Sequence, residues 1–266
     1  MVSPLKNDAF NPMMFTRAIV RTPAPSLVKG ISSADLGPVD FERALQQHAD
    51  YVLALEALGL AVTVLDAEEA YPDSTFVEDV ALIFGATGIV TNPGALSRNG
   101  ETISIRPALL EHFSSLSYIS PPGTLDGGDV MSTGDCVYVG LSSRTNRSGA
   151  EQLGVHLQKI GLELVVVEMK EMLHLKTGVN YLDQGNLLVT GEFVEAPVWK
   201  GFNRTTVVRD EAYAANSVWI NGSVLVPAGF PQTTSAIEQL GYQVVVVDTS
   251  EFQKLDGGLS CLSLRF

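Results

Sequence analysis

The chain has 266 residues, enough for one large domain or two smaller ones with a substantial buried core. Two cysteines give no disulfide framework, Met1–Asp8 lacks the pattern of a secretory leader, and no apolar run reaches transmembrane length, so we expect a soluble, cytoplasmic protein. The formal net charge of −13 argues against nucleic acid or an anionic membrane as a partner.

One local pattern recurs along the chain, in which an amphipathic helix ends at a glycine and a strand follows. Gly59, Gly161 and Gly241 occupy this position, where a helix C-terminus favours a left-handed residue. A weaker copy runs from Leu109 to Ile119. The helices place apolar residues at core-facing spacing, namely Phe41, Leu45, Val52 and Leu55 in the first and Ala150, Leu153, Leu157 and Ile160 in the second.

Strand pairs lie between these helix units. The predicted strands are Val80–Phe84 with Gly88–Thr91, Val130–Ser132 with Cys136–Val139, Asn186–Thr190 after a turn, and Val218–Ile220 with Ser223–Val226. A fifth pair forms if Leu259–Phe266 pairs with Ala18–Thr22. The sequence therefore predicts an α/β fold of five strand–strand–helix–strand units of roughly fifty residues, typical of propeller-like arrays. The unit at 179–208 shows no convincing helix.

Polar segments fall at equivalent positions of four of these units. They are Asp73–Asp79, Asp126–Asp129, the loop that holds His174, and Asp256–Cys261. A closed ring would bring them together at its axis. A cysteine with a distant histidine and carboxylates is a residue set for covalent catalysis. A lone cysteine is more often a small core residue, but the shared repeat position favours a common site.

Six ordered motifs resemble the dimethylarginine dimethylaminohydrolase family, guanidine-modifying hydrolases of the pentein fold. The motifs are Asp73–Asp79, Asn92–Arg98, Leu125–Val130, Val139–Asn146, Leu173–Thr177 and Lys254–Cys261. The resemblance covers nearly the whole chain, from Ala18 to Arg265. It implies a five-bladed α/β propeller with a pseudo-fivefold axis, formed as a single domain over residues 1–266 and closed by pairing of the terminal strands.

The resemblance also implies a reaction, the hydrolysis of N-methylated arginines to citrulline and an alkylamine through a covalent thiouronium on Cys261. His174 is expected to act as general acid and then as general base, with Asp126 orienting it. The small-molecule substrate is the only implied partner, no cofactor or metal is expected, and a homodimer is left open as an assembly.

The substrate-binding groups are likewise implied by the resemblance. They are Asp73, Phe76 and Asp79 for the guanidinium, Arg98 and Arg144 for the carboxylate, Leu255 and Asp256 for the α-amino group, and Ile31 as the lid residue. Carboxylates suit a guanidinium, and the fork of an arginine suits a carboxylate. Glu78 is left with two roles, either binding substrate or supporting Arg98.

Two other classes of function stay open. Deiminases and amidinotransferases share a His-x-Asp pair, whereas this chain has His174-Leu175-Lys176, which favours hydrolysis of methylated arginines over arginine deimination, citrulline hydrolysis or amidino transfer. A non-catalytic binding protein of the same fold would not need both Cys261 and His174. We interpret the remaining candidates as structural: His48, His112, His156 and Cys136.

Overall fold

The computed structural model describes residues 14–266; residues 1–13, which include the segment on which the absence of a leader was argued, lie outside the described residues. The strands are β1 Arg17–Arg21, β2 Ala61–Leu65, β3 Ala81–Phe84, β4 Thr87–Val90, β5 Leu116–Tyr118, β6 Val130–Ser132, β7 Cys136–Leu141, β8 Glu163–Glu168, β9 Val179–Tyr181, β10 Asn186–Val189, β11 Asn203–Thr206, β12 Val218–Ile220, β13 Ser223–Pro227, β14 Gln243–Val247 and β15 Leu264–Arg265. The helices are α1 Phe41–Ala57, α2 Glu101–Ser104, α3 Arg106–Leu110, α4 Arg147–Gln158, α5 Leu175–Gly178, α6 Pro231–Gln239 and α7 Ser250–Gln253.

These strands form five three-stranded sheets within residues 14–266. Each sheet has a middle strand that pairs antiparallel with one neighbour and parallel with the other, in the orders β15-β1-β2, β3-β4-β5, β6-β7-β8, β9-β10-β11 and β12-β13-β14. In the first sheet, Ile19 of β1 faces Leu264 of β15 and Thr63 of β2. The predicted α/β class and the five repeated strand units are confirmed.

The longer helices begin and end where local chemistry places their boundaries. Asp40 accepts a hydrogen bond from the backbone N–H of Arg43, and Asn146 accepts one from Gly149, so both α1 and α4 have side-chain N-caps. Beyond their C-termini, Gly59 and Gly161 have φ values of 90° and 78°. This left-handed conformation, predicted from the sequence, costs glycine little. Among residues 14–266, no helix has the length and apolar character needed to cross a bilayer.

The core lies between each helix and its sheet. Helix α1 buries Ala44, His48, Tyr51 and Leu55, so the predicted positions Phe41, Leu45 and Val52 lie at the margin of its buried face. In α4 the prediction holds for Ala150, Leu153 and Leu157. It is wrong for Ile160, which is 38% exposed because the helix ends at Gln158 and Ile160 falls in the following turn.

The C-terminal segment differs from the predicted long strand. Only Leu264–Arg265 pairs with β1, while Ser260–Leu262 forms a single 3-10 turn. Cys261 therefore lies on a tight turn before the strand. In the unit of β9, β10 and β11, the described chain has two 3-10 turns, Gly191–Phe193 and Pro197–Trp199, in place of an α-helix. Trp199 is fully buried there and packs against Phe193 and Tyr138.

Candidate active site

A small cavity lies where four of the interstrand junctions meet. Its volume is about 30 Å³, and its walls include His174, Cys261, Asp256 and Gly128. His174 immediately precedes α5, and Cys261 lies on the 3-10 turn before β15. The predicted nucleophile and the predicted acid–base residue are 87 positions apart in the sequence, and the fold brings them to one cavity.

The imidazole of His174 is held by a buried carboxylate. Its Nε2 lies 3.1 Å from Oδ2 of Asp126, which has no exposed surface. The other carboxylate oxygen accepts a hydrogen bond of 2.8 Å from the backbone N–H of Gly94. A Cβ at Gly128 would lie 2.7 Å from Nδ1 of His174, so glycine is needed for the ring to pack this closely on the backbone.

The second acid of the same motif has a different task. Asp129 accepts hydrogen bonds from the backbone N–H of Leu175, at 2.9 Å, and from the hydroxyl of Ser142, at 2.6 Å. These contacts fix the start of α5 and make no bond to the imidazole. Of the two carboxylates, the one that contacts His174 is Asp126.

Negative charge concentrates around the imidazole. One potential metal-ligand atom from each of Asp79, Asp126 and His174 lies within 4.8 Å of the other two, although the sequence spacing suggests no metal cluster. Burial alone would lower the pKa of His174, but the charge of Asp79 and the hydrogen bond to Asp126 raise it to about 9. The imidazole is therefore protonated at neutral pH, and the cluster is an ion-pair network.

The thiol of Cys261 opens onto the cavity and is otherwise surrounded by protein. Its sulfur accepts a hydrogen bond from the backbone N–H of Gly258 at 3.3 Å. Burial, followed by the negative charges of Glu78 and Asp79, raises the pKa of the thiol to about 12. Without a bound cation the cysteine is thus a neutral thiol.

The guanidinium of Arg98 is paired within the folded chain. Its guanidinium donates to Asp79, to Glu101 and to the backbone carbonyl of Phe76, and the residue is only 4% exposed. Asp79 in turn accepts from the backbone N–H of Gly128 at 2.9 Å. This guanidinium holds Asp79 and the backbone of the Asp73–Asp79 motif, and the contact between Arg98 and the substrate carboxylate stays a prediction.

Arg144 remains as the available cation. It is half-buried, and its guanidinium has no hydrogen-bond or ion-pair partner among residues 14–266. Its positive charge is also among the groups that act on Asp73, whose pKa is raised by burial and lowered in part by Arg98 and Arg144. This placement fits the predicted contact between Arg144 and a substrate carboxylate.

A loop over residues 30–35 covers two of the predicted substrate ligands. Asp73 accepts a 2.9 Å hydrogen bond from the backbone N–H of Ile31, and Asp256 accepts bonds of 2.6 and 2.9 Å from the N–H and hydroxyl of Ser33. The hydroxyl of Ser32 donates to the carbonyl of Lys254 at 2.6 Å. Ile31, the predicted lid residue, thus contacts Asp73 through its backbone, while the residue is 39% exposed.

The apolar wall and the turn beside it come from Phe76 and Leu255. Phe76 is 4% exposed, and its ring packs against Gly257 and edge-on to Phe252. Leu255 is 7% exposed and contacts Gly30 at the root of the loop. Asp256, which follows Leu255, has a φ of 58°, a conformation that aspartate tolerates in tight turns.

Glu78 makes no contact with Arg98, and its other predicted role, substrate binding, stays a prediction. Its two oxygens lie 2.6 Å from Nζ of Lys176 and 2.7 Å from the hydroxyl of Ser260. Support of Arg98 by Glu78 is therefore wrong, since Arg98 pairs with Asp79 and Glu101. Lys176 and Ser260 line both the small cavity and a second cavity of about 1060 Å³, so the two cavities meet at this ion pair.

The small cavity is also lined by Lys176, Tyr213 and Asn216, none of which was among the predicted site residues. The hydroxyl of Tyr213 donates to the carbonyl of Gly257 at 2.9 Å, and Asn216 contacts Ser260 and Lys176. The repeat could have found Asn216, because it stands just before β12, as Asp79 stands just before β3.

Comparison with known proteins gives consistent matches. A family model described as N,N dimethylarginine dimethylhydrolase, eukaryotic, matches residues 38–208. The N(G),N(G)-dimethylarginine dimethylaminohydrolase of Pseudomonas aeruginosa is 47% identical over 95% of this chain and 100% of its own length. The enzyme of the same name from Streptomyces coelicolor is 38% identical over 94% of this chain and 96% of its own.

Solved structures give the same match at the level of the fold. A cysteine-to-serine mutant of the Pseudomonas aeruginosa enzyme in complex with citrulline has a TM-score of 0.94 and 46% identity, covering 96% of this chain and 100% of that one. The N-terminal domain of ArgZ, an arginine dihydrolase from cyanobacteria, has a TM-score of 0.84 at 18% identity, covering 94% and 97%. At that identity the second likeness concerns the fold alone.

Proposed function

Since this chain belongs to the dimethylarginine dimethylaminohydrolase family, we propose that it hydrolyses N-methylated arginines to citrulline and an alkylamine, with Cys261 as nucleophile. The observation that carries the proposal is the placement of Cys261 and the Asp126–His174 pair on one cavity. The family makes the protein a hydrolase of carbon–nitrogen bonds.

Substrate binding supplies a positive charge beside the thiol of Cys261. The guanidinium of a methylated arginine would lie against the carboxylates of Asp73 and Asp79, and Asp73 would lose or share its hydrogen bond from the backbone N–H of Ile31. Because a nearby cation favours a thiolate, the bound guanidinium counters the negative field that raises the pKa of Cys261. The nucleophile is thus formed in the presence of substrate.

The first half of the reaction forms the covalent intermediate. The thiolate of Cys261 attacks the guanidinium carbon and forms a C–S bond, which gives a tetrahedral species. The protonated His174 donates its proton to the departing alkylamine nitrogen as the C–N bond breaks. The products of this half are the free amine and a cysteine thiouronium. The buried charge of Asp126 stabilises the imidazolium before this transfer and orients the ring.

The second half uses the same imidazole in its neutral form. His174 removes a proton from a water, whose oxygen attacks the thiouronium carbon. As the C–S bond breaks, the added oxygen loses its remaining proton to solvent and becomes the carbonyl oxygen of citrulline, and the thiolate of Cys261 is regenerated. One histidine serves both steps because it gives up a proton in the first and regains one in the second.

The amino-acid end of the substrate needs a cation to bind its carboxylate and a hydrogen-bond acceptor for its α-amino group. We infer that the guanidinium of Arg144, which has no partner among residues 14–266, binds the carboxylate, and that Asp256 with the Leu255 backbone accepts the α-amino group. A cavity of about 30 Å³ has room for about two waters and not for an arginine derivative. We infer that the loop at 30–35 opens to admit the substrate, releasing its contacts to Asp73 and Asp256.

The proposal extends to the architecture. We infer that the five sheets are the blades of a propeller around a pseudo-fivefold axis and that the chain forms one domain. The antiparallel pairing of β1 with β15 supports this, since it joins the two ends of the described chain. The cytoplasmic location expected from the sequence is part of the same proposal.

Other guanidine reactions are the main competing function. The third residue of His174-Leu175-Lys176 pairs with Glu78, so this position offers a cation in a salt bridge and not the second guanidinium-binding carboxylate of a His-x-Asp pair. One acceptor fewer near the departing amine favours substrates whose nitrogen carries methyl groups.

A substrate panel tests the proposed function. Asymmetric dimethylarginine, monomethylarginine and arginine are compared by citrulline formation and by identification of the released amine. The expected result is dimethylamine or methylamine with citrulline, and much slower turnover of arginine. Faster release of ammonia from arginine would contradict the proposal and indicate a deiminase.

A further inference from the structure

The side chain of Asn216 connects the two segments that carry the proposed chemistry. Its Oδ1 accepts a 2.9 Å hydrogen bond from the backbone N–H of Ser260, the residue before Cys261. Its Nδ2 donates to the carbonyl of Lys176, at 2.9 Å, and to the hydroxyl of Ser260, at 3.1 Å. Lys176 lies two residues after His174, in α5.

The chemistry of these partners requires an amide in one orientation. A backbone N–H can only donate, and a backbone carbonyl can only accept, so the oxygen of Asn216 must face Ser260 and the nitrogen must face Lys176. A carboxylate of the same size could not serve both, because it can only accept. Asn216 is 7% exposed, so a lost partner there would not be replaced freely by solvent.

Asn216 also contacts the nucleophile turn from a second side. A Cβ at Gly258 would lie 2.5 Å from both Cγ and Oδ1 of Asn216, so the glycine allows close packing of the amide on the turn. The backbone N–H of Gly258 donates to the sulfur of Cys261. Asn216 thus contacts the segment that presents the sulfur at two residues, Gly258 and Ser260.

We propose that Asn216 is a positioning residue that fixes the distance between the sulfur of Cys261 and the imidazole of His174. The inference rests on the proposed function, in which His174 must reach the nitrogen on the carbon that Cys261 attacks. Displacement of reacting groups by about 1 Å can cost on the order of 10²-fold in rate. Loss of the amide frees the turn from α5 while deleting none of the groups proposed to touch substrate.

Asn180 is a matched control. It is 5% exposed, and its Nδ2 donates to the same carbonyl of Lys176, at 2.6 Å, and to the carbonyl of Ala215, at 2.7 Å. It makes no hydrogen bond to Ser260 or Gly258 in the described chain. Asn180→Ala therefore removes a buried amide of β9 that hydrogen-bonds to α5, without touching the nucleophile turn.

The experiment compares Asn216→Ala with Asn180→Ala by steady-state kinetics on dimethylarginine and by thermal unfolding. We expect similar losses in Tm for both variants. For Asn216→Ala alone, kcat should fall on the order of 10²-fold, while KM changes by less than about threefold, since no substrate contact is removed. Asn180→Ala should keep kcat within about threefold of the parent enzyme.

A second readout does not depend on turnover. The rate at which iodoacetamide alkylates Cys261, measured in a Cys136→Ser background, should change in Asn216→Ala and not in Asn180→Ala. If Asn216→Ala does not fold, Asn216→Ser replaces it, because a serine hydroxyl cannot span from Ser260 to Lys176.

Equal losses of kcat in the two variants, or a parent-like kcat for Asn216→Ala at a lowered Tm, would overturn the inference and leave Asn216 a stability residue. These results are distinct from failure of the proposed function. In that case the parent enzyme itself forms no citrulline, and the alkylation comparison still tests the role of Asn216.

Discussion

The resting state of Cys261 gives the sharpest quantitative prediction. Burial with Glu78 and Asp79 raises the pKa of the thiol to about 12, against an ordinary value of 9.0. At pH 9, a thiol with a pKa of about 12 is ionised in only about one molecule in 10³, because each pH unit is a factor of ten, whereas a thiol with the ordinary pKa of 9.0 is half ionised. The thiolate is the reactive form, so alkylation by iodoacetamide should be correspondingly slow.

The assay is the pH dependence of this alkylation in a Cys136→Ser background without substrate. The rate should keep rising about tenfold per pH unit through pH 10, with no plateau, because the thiol is still mostly protonated there. The same protein unfolded in denaturant is the control, and its rate should level off near the ordinary cysteine pKa. A plateau near pH 9 in the folded enzyme would refute the reasoning, since steric shielding alone lowers the rate without moving the midpoint.

The remaining predictions concern the acid–base pair and the nucleophile. Cys261→Ser should abolish turnover with the fold intact, because a hydroxyl is far less ionised than a thiol, whereas Cys136→Ser should stay active; near-normal turnover of Cys261→Ser in a citrulline assay would remove the covalent mechanism. Asp126→Asn should slow kcat by on the order of 10²–10⁴-fold at most, because the imidazole keeps a hydrogen-bond partner and loses its charge stabilisation; a kinetically silent variant would make Asp126 a turn residue only. The first half-reaction needs the imidazolium, and the pKa of His174 is raised to about 9, so kcat/KM should be retained through neutral pH and fall above about pH 9. A fall already near pH 7 would show that His174 is neutral in the free enzyme.

The repeat could be predicted from the sequence because its signals are local. Glycines such as Gly59 and Gly161 mark helix ends wherever the chain folds, and alternating apolar residues mark strands such as β3 and β7. Placing polar segments at equivalent positions of the repeat was enough to bring Cys261, His174 and Asp126 into one site.

Contacts between distant segments could not be predicted in this way. Arg98 follows a loop motif and looks like a surface residue, yet Asp79 and Glu101 enclose it once the chain folds. The bonds from Ser33 to Asp256 join residues 223 positions apart, and no local pattern announces them. Cys261 falls within the predicted strand Leu259–Phe266, whereas the bonds of Ser260 to Asn216 and Glu78 hold that segment in a 3-10 turn.

The central claim is a covalent thiouronium on Cys261, and mass spectrometry of acid-quenched enzyme tests it most directly. Asymmetric dimethylarginine and monomethylarginine lose different amines but should leave the same adduct, with a mass increase equal to that of arginine minus ammonia. The adduct should map to the peptide that contains Cys261 and be absent from Cys261→Ser. Adducts that retain the methyl groups, or turnover with no adduct on Cys261 at any quench time, would contradict the account.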